Sequence, residues 1–173
     1  MKRIRVISCL VILLFAYNLP IRSIDKTKNL EVLADSARHL LGKSGFVPVN
    51  TAWMQLARDL NDSIQMEAAY SELFDHYYRL GEVDSLRIVG YELMDWYTRR
   101  NKKDERYQLW RHYIQQLTEN GKQDEAIAET ELLSKDAEKN NSRYGQACGE
   151  MCIGYNHRVF SNNVKLCIEY YNN

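Results

Sequence analysis

The stretch EAAYSELFDHYYRLG at Glu67–Gly81 decides the fold, because 40 residues later the chain reads YQLWRHYIQQLTENG at Tyr107–Gly121. The aromatic and apolar residues of the two stretches coincide at the spacings i, i+3, i+4 and i+7, which mark one face of a helix. The matched residues are Tyr70, Leu73, Phe74 and Tyr77 in the first stretch and Trp110, Tyr113, Ile114 and Leu117 in the second. A fixed period with helical spacing inside each unit is typical of an α-solenoid, a stack of helix pairs.

The same pattern continues on both sides of these stretches, and the whole repeated region runs from Glu67 to Phe160. A third copy places Ile153 and Gly154 at the second and third apolar positions, and Ser161 at the position of Gly81. One period earlier, the same helical spacing recurs at Leu30, Leu33, Ala34 and Ala37. The sequence therefore predicts an all-α chain of about four antiparallel helix pairs with a period of 40 residues.

Polar breaks between the apolar segments predict where each helix begins and ends. We expect Asp104 to cap the third unit, and Gly81 and Gly121 to form left-handed turns. Residues 43–50, which contain Gly45 and Pro48, are predicted to form a loop that displaces the second helix and interrupts the period in the first unit. The predicted helices cover residues 25–41, 51–60, 63–80, 83–100, 104–120, 124–139 and 143–160, with an eighth from residue 164 onward.

Composition is that of a globular protein, with 45% apolar and 27% charged residues among 173. The formal net charge is zero, but the first 23 residues hold four basic and no acidic side chains. Removing those four from the total of 23 leaves 19 basic against 23 acidic residues in the remainder. A mildly acidic body argues against nucleic-acid binding, which needs a basic face for the phosphates.

The N-terminus has the pattern of an export signal. Lys2, Arg3 and Arg5 precede an apolar run at Val6–Leu19, and this run is too short for a bilayer span of about 20 residues. We predict a signal peptide over residues 1–23, a repeat domain over residues 24–173 and a periplasmic or other extracytoplasmic location. An uncleaved membrane anchor is the alternative.

The last twelve residues suggest that the chain continues. Val164 would begin a second helix of the fourth pair, and Asn173 falls inside that helix. An apolar edge would then lack the polar cap that solenoids need for solubility. We therefore expect the repeat domain to be truncated at its C-terminus. The residues of this edge are Cys167, Ile168, Tyr170 and Tyr171.

Each unit resembles the tetratricopeptide repeat, whose pattern is Trp-x2-Leu-Gly-x2-Tyr, then a turn glycine, then a small residue in the second helix. The chain departs from the family in its period, 40 residues against about 34, and in Leu86, which occupies a small-residue position. The resemblance covers about residues 27–173 and implies a right-handed solenoid. It is carried by Trp110, Tyr113, Ile114, Leu117, Gly121 and Ala126, by the matching residues of the preceding unit, and by Ile153-Gly154 in the last.

The resemblance also implies that the first helix of each pair lines a concave groove, with polar residues facing the partner. Arginine binds carboxylates through a planar fork, and tyrosine offers a flat contact area, so a protein or peptide segment is the expected partner. Ordinary solvated surface is the alternative for these positions. The candidates are Asp35, Arg38, His39, Ser71, Asp75, Tyr78, Arg79, Arg111, Gln115, Tyr155 and Arg158.

An exported chain of such repeats resembles the extracytoplasmic part of bacterial membrane-bound sensors, in which a histidine kinase or DNA-binding output domain follows. By this analogy of architecture, the chain is the sensory part of a longer signalling protein. The alternatives are a free periplasmic scaffold and a cytoplasmic regulator with a buried apolar N-terminus. More repeats and a stop codon after Asn173 would favour the scaffold, whereas an apolar span would favour the sensor.

Residues that could bind a metal, form a disulfide or act in catalysis are scattered along the sequence. Cys148 and Cys152 lie four residues apart on one helix, with His157 nearby, and three readings stay open: packing, a disulfide to Cys167, or a metal site. The four histidines are spread over different repeat positions, which favours surface or hydrogen-bonded roles. The sequence contains no phosphate-binding loop and no nucleophile motif. We predict a binding protein without a cofactor or catalytic activity.

Overall fold

The computed structural model describes residues 26–161, and every regular element in this range is an α-helix. The all-α prediction is thus confirmed for the described part. The predicted signal peptide and the predicted helix from Val164 onward, with its apolar edge, lie outside it. The helices are α1 (Lys26–Leu40), α2 (Phe46–Asp59), α3 (Ser63–Leu80), α4 (Val83–Arg99), α5 (Lys103–Glu119), α6 (Gln123–Lys139) and α7 (Arg143–Phe160).

Five turns of identical geometry connect α2 through α7 and recur every 20 residues. In each, the N–H of a left-handed residue donates to the carbonyl three residues back, and the next N–H donates to the carbonyl five residues back. These two bonds form a Schellman motif, and glycine and asparagine tolerate its left-handed position best. Two turns make one unit, so the backbone repeats at the predicted 40-residue interval. The left-handed residues are Asn61, Gly81, Asn101, Gly121 and Asn141, with φ between 50° and 72°.

The first helix pair differs from its prediction. α2 begins at Phe46, so the predicted loop over residues 43–50 is wrong, and residues 41–45 form the connection. Pro48 is only the third residue of α2, where the missing N–H has no intrahelical acceptor to lose. The 40-residue period holds at the C-terminal end of this pair, because α2 ends at Asp59, 40 residues before the end of α4.

Side chains cap α3 and α7. The Asp62 carboxylate accepts hydrogen bonds from the first turn of α3, and Ser142 accepts one from Gly145 at the start of α7. Asp104 does not cap α5, contrary to the prediction, because the turn at Asn101 brings the chain into the helix by Lys103. Asp104 lies in the first turn, where its charge favours the positive end of the helix dipole.

Consecutive helices pack against one another along the chain, and α5 also packs against α7. Buried side chains form three clusters. The first joins α1, α2 and the start of α3 around Trp53, and the second runs from α3 to α6 around Leu86 and Leu117. The third joins α5, α6 and α7 around Tyr107 and Leu133. This arrangement is consistent with a helical repeat, in which each element buries its apolar face on its neighbours.

One pair of residues that the repeat alignment matches has similar surroundings. Tyr70 and Trp110 are both partly buried and both pack against the second cluster, as the 40-residue alignment predicts. The buried residues of α6 recur at intervals of three or four positions, so they lie on one face of the helix. They are Ala126, Thr130, Leu133 and Ala137.

Polar contacts join α4 to α6 at a constant interval in the sequence. Asp84 pairs with Lys122 at 3.3 Å, Arg87 pairs with Glu125, and the Tyr91 hydroxyl donates to Glu129 at 2.5 Å; each pair is 38 residues apart. Exposed pairs of this kind stabilise by about 1 kcal/mol at most, so they orient neighbouring units more than they hold them together.

A search for membrane-spanning segments among α1–α7 finds no helix with the necessary length and apolar character.

Candidate binding surface

The predicted groove residues all lie on α1, α3, α5 and α7, the first helices of the successive pairs. All eleven side chains are at least partly accessible, so each could contact a partner. Six of them are exposed, namely Asp35, Arg38, His39, Asp75, Arg79 and Arg158. Ser71, Tyr78, Arg111, Gln115 and Tyr155 are half-buried.

Three of these residues come together in a crevice between α5 and α7. The crevice has a volume of about 40 Å³, which is enough for a small chemical group. Arg111, Gln115 and Tyr155 supply its polar wall, and Ile114 and Cys152 are buried beneath it. α5 can place these groups beside α7 because the two helices pack directly.

Glu119, which the sequence analysis did not single out, organises the polar side of this crevice. Its carboxylate accepts hydrogen bonds from Gln115 Nε2 at 2.8 Å and from the Tyr155 hydroxyl at 2.9 Å. Burial and then this bond raise the pKa of Tyr155, so the hydroxyl stays protonated at neutral pH. The Arg158 guanidinium lies 4.6 Å from the centre of the Tyr155 ring, in cation–π contact.

The Arg111 guanidinium contacts a histidine and no carboxylate of the described residues. Its Nη2 lies 2.8 Å from Nε2 of His112, and burial and then the Arg111 charge lower the pKa of that histidine. His112 is therefore neutral and accepts the hydrogen bond. Among residues 26–161, the ion pairs include neither Arg111 nor Arg158. Both guanidinium groups thus retain donors for an incoming carboxylate.

The predicted residues of α1 and α3 are not part of this crevice. Arg38 pairs with Asp35 and with Glu72. Asp75 pairs with Arg79 on the same helix, so these two charges neutralise each other.

Two further α3 residues are also engaged within the fold, while His39 on α1 is exposed. Ser71 donates to the Glu67 carbonyl and lies 3.5 Å from the Tyr97 hydroxyl, which turns it toward α4. Tyr78 stacks on Phe74 and meets His112 edge-on.

The cysteines of α7 are buried free thiols packed against Ile114 and Leu133. Burial raises the pKa of both thiols, that of Cys152 to about 12, so neither is a nucleophile at neutral pH. They fill core positions, as the packing interpretation predicts, and they do not pair with each other. Cys167 lies outside the described residues. Within residues 26–161, no three histidine, cysteine or acidic side chains are grouped closely enough to hold a metal ion.

A larger cavity of about 510 Å³ lies between α6 and α7, and the sequence analysis did not identify it. Ile127, Ile153 and Phe160 form its apolar wall. Ser161, the last described residue, also borders it.

Comparison of the chain with protein-family models, with curated proteins and with solved structures finds no match.

Proposed function

We propose that this chain is an exported, tetratricopeptide-like domain, a right-handed α-solenoid of about four antiparallel helix pairs, that binds a protein or peptide segment. The 20-residue spacing of the turns and the 40-residue equivalence of Tyr70 and Trp110 support the repeat assignment. Repeats of this kind present extended surfaces for partners, and we propose no catalytic role.

The observation that carries the proposal is the polar crevice between α5 and α7. Arg111 lines the crevice, and Arg158 lies against the ring of Tyr155, which also lines it. Neither guanidinium has a carboxylate within ion-pair distance in the described part of the chain, although Glu119 bonds to Gln115 and Tyr155. An aspartate or glutamate side chain of a partner would complete the coordination of these guanidinium groups. A peptide with at least one carboxylate between apolar residues is therefore the best fit.

In the cell, we propose that this domain is the extracytoplasmic sensory part of a longer bacterial signalling protein. Partner binding along α5 and α7 would bias an output domain elsewhere in that protein. A free periplasmic scaffold uses the same surface in the same way. The two roles differ in what the complete gene encodes beyond Asn173, and sequencing that gene distinguishes them.

Peptide selection followed by mutagenesis tests the binding surface. Peptides are selected from a random library on the 173-residue protein, labelled with a fluorophore and titrated by fluorescence anisotropy. Arg111→Ala and Arg158→Ala should each weaken binding about tenfold or more, because each removes charge-assisted hydrogen bonds to the peptide. Circular dichroism melting curves should show that both variants remain folded, so that a weaker affinity reports the loss of the guanidinium group.

Arg99→Ala is the matched control. Arg99 is an exposed arginine on α4, outside the proposed surface, and it pairs with Asp95 of its own helix. Its loss should leave the dissociation constant unchanged. Equal affinities for the Arg111 and Arg158 variants and the parent protein would show that the peptide binds elsewhere, as would an equal loss in the Arg99 variant.

A further inference from the structure

One hydrogen bond of the turn between α1 and α2 is accepted by a side chain of another helix. In the five later turns, the N–H of the left-handed residue donates to a backbone carbonyl. In the first turn, Gly42 and Gly45 are both left-handed; the Lys43 N–H donates to the Leu40 carbonyl, but the Gly42 N–H donates to Nδ1 of His76 at 3.0 Å. His76 lies on α3, 34 residues away, so an imidazole takes the place of the usual carbonyl acceptor.

His76 also packs against the start of α2. Only 4% of the residue is exposed, and its ring stacks on Phe46 with centroids 4.3 Å apart and an angle of 17° between the planes. Phe46 is the first residue of α2 and is fully buried. One side chain therefore fixes both the first turn and the beginning of α2 on α3.

This contact requires the neutral imidazole. Nδ1 can accept the Gly42 N–H only through its lone pair, so the proton of the neutral ring is on Nε2. Protonation places an N–H on Nδ1, opposite the Gly42 N–H, and leaves both donors without an acceptor in a buried position. Burial lowers the pKa of His76 below its ordinary value of 6.5, and the charge of Glu82 opposes this shift.

Charged and titratable groups approach His76 from two turns and from α3 itself. Glu82 follows α3 and favours the protonated ring. Lys43, beside Gly42, donates to the carbonyl of His39 at the end of α1, whereas α2 contributes the uncharged ring of Phe46. On α3, Arg79 passes close to Gly42, and Tyr77 meets the imidazole edge-on at 5.4 Å.

We propose that His76 is a pH-sensitive contact that holds the first helix pair on α3 when neutral and releases it at acidic pH. The released part would be α1, the first turn and α2. An exported domain would thereby respond to acidification of its surroundings. The proposal rests on the His76 geometry and does not depend on the peptide-binding surface of α5 and α7.

The direction of the pH effect follows from linkage. Because the folded-state pKa of His76 lies below the unfolded value of 6.5, its stabilising contribution is complete above that value. The contribution is lost as the pH falls through 6.5 towards the folded-state pKa. Below that lower pKa both states carry the proton, and no further loss occurs.

Hydrogen–deuterium exchange of the full 173-residue chain at about pH 7.5 and about pH 5 tests the proposal, after correction for intrinsic exchange rates. Amides of residues 40–59 should lose protection roughly tenfold at the lower pH, as expected when a buried hydrogen bond is broken. Amides of α6 serve as the internal reference and should change little. An equal change in both regions, or no change in residues 40–59, would overturn the proposal.

Three variants distinguish protonation of His76 from a general loss of stability in the first helix pair. His76→Asn retains an acceptor near the Nδ1 position but does not titrate and lacks the ring stacked on Phe46, so the protection of residues 40–59 should be the same at both pH values. His76→Phe retains the ring against Phe46 without an acceptor, so these residues should exchange rapidly at both. His39→Asn removes an exposed histidine and should leave the response intact. A response that persists in the His76→Asn protein would show that another group titrates.

Discussion

At the scale of single residues, two glycines determine how closely α7 approaches α5 and α6. A Cβ at Gly145 would lie 2.8 Å from the Ala137 Cβ and 2.9 Å from the Tyr107 ring. A Cβ at Gly149 would lie 2.6 Å from the Ser134 hydroxyl oxygen. A serine hydroxyl can rotate away, whereas an alanine Cβ is fixed to the backbone, so the two positions should respond differently to a methyl group.

We expect Gly145→Ala to lower the free energy of unfolding by roughly 1–2 kcal/mol. Overpacking of a tight contact costs about 1–3 kcal/mol, which outweighs the gain of up to about 1 kcal/mol from replacing a helical glycine. Gly149→Ala should be close to neutral, because the two effects nearly cancel once Ser134 rotates. Urea unfolding followed by circular dichroism measures both. A Gly145 variant as stable as the parent would show that α7 can move away from Ala137.

At the scale of the helix–turn–helix element, the left-handed backbone conformation of one residue in each turn costs free energy. Asn101 has φ 56° and connects α4 to α5. A left-handed conformation costs an ordinary L-residue about 1–2 kcal/mol, and asparagine less. Asn101→Ala should therefore destabilise the chain by about 1 kcal/mol, whereas Asn101→Gly should be neutral or stabilising. If thermal unfolding shows equal losses for both variants, the Asn101 side chain and not its backbone conformation is what matters.

The sequence predicts most elements because each signal is local. Gly81 and Gly121 mark their turns, and the apolar stripes between them locate α3 through α7 within about two residues. Asn61, Asn101 and Asn141 complete the 20-residue series, but asparagine also occurs in ordinary polar loops, so only the glycines were recognised as left-handed. Pro48 misled the prediction of α2 because its effect depends on position within the first turn, which composition does not reveal.

The candidate site is less predictable than the helices, because its contacts are not local in the sequence. The repeat assigns residues to the first helices but does not fix how far each helix is rotated. Arg111 and Gln115 line a crevice beside α7, whereas Ser71 turns toward Tyr97 on α4. Glu119 was missed because its role depends on a contact 36 residues away, with Tyr155. Such contacts depend on packing between units, which one sequence does not specify.

At the scale of the whole molecule, stability is distributed along a line of neighbouring contacts. α5 packs against three helices, α4, α6 and α7, whereas α1 packs chiefly against α2. In such an array, local openings at the ends cost less free energy than openings in the middle. The first turn, in which the Gly42 N–H donates to His76 instead of a backbone carbonyl, adds a second reason for the first pair to open early.

Hydrogen exchange at neutral pH should therefore show a gradient of protection, with amides of α5 and α6 slowest and those of α1 fastest. The Gly145→Ala variant allows a second test, because it destabilises one end of the described array. Its overpacked contact lies between α7, Ala137 and Tyr107. Exchange should accelerate about tenfold in α6 and α7, in proportion to a loss of roughly 1.4 kcal/mol, and remain unchanged in α1 and α2. A single cooperative unit would behave differently, since its slowest amides all report one global unfolding step. If the variant accelerates α2 as much as α7, the helices unfold together, and the description as quasi-independent units is wrong.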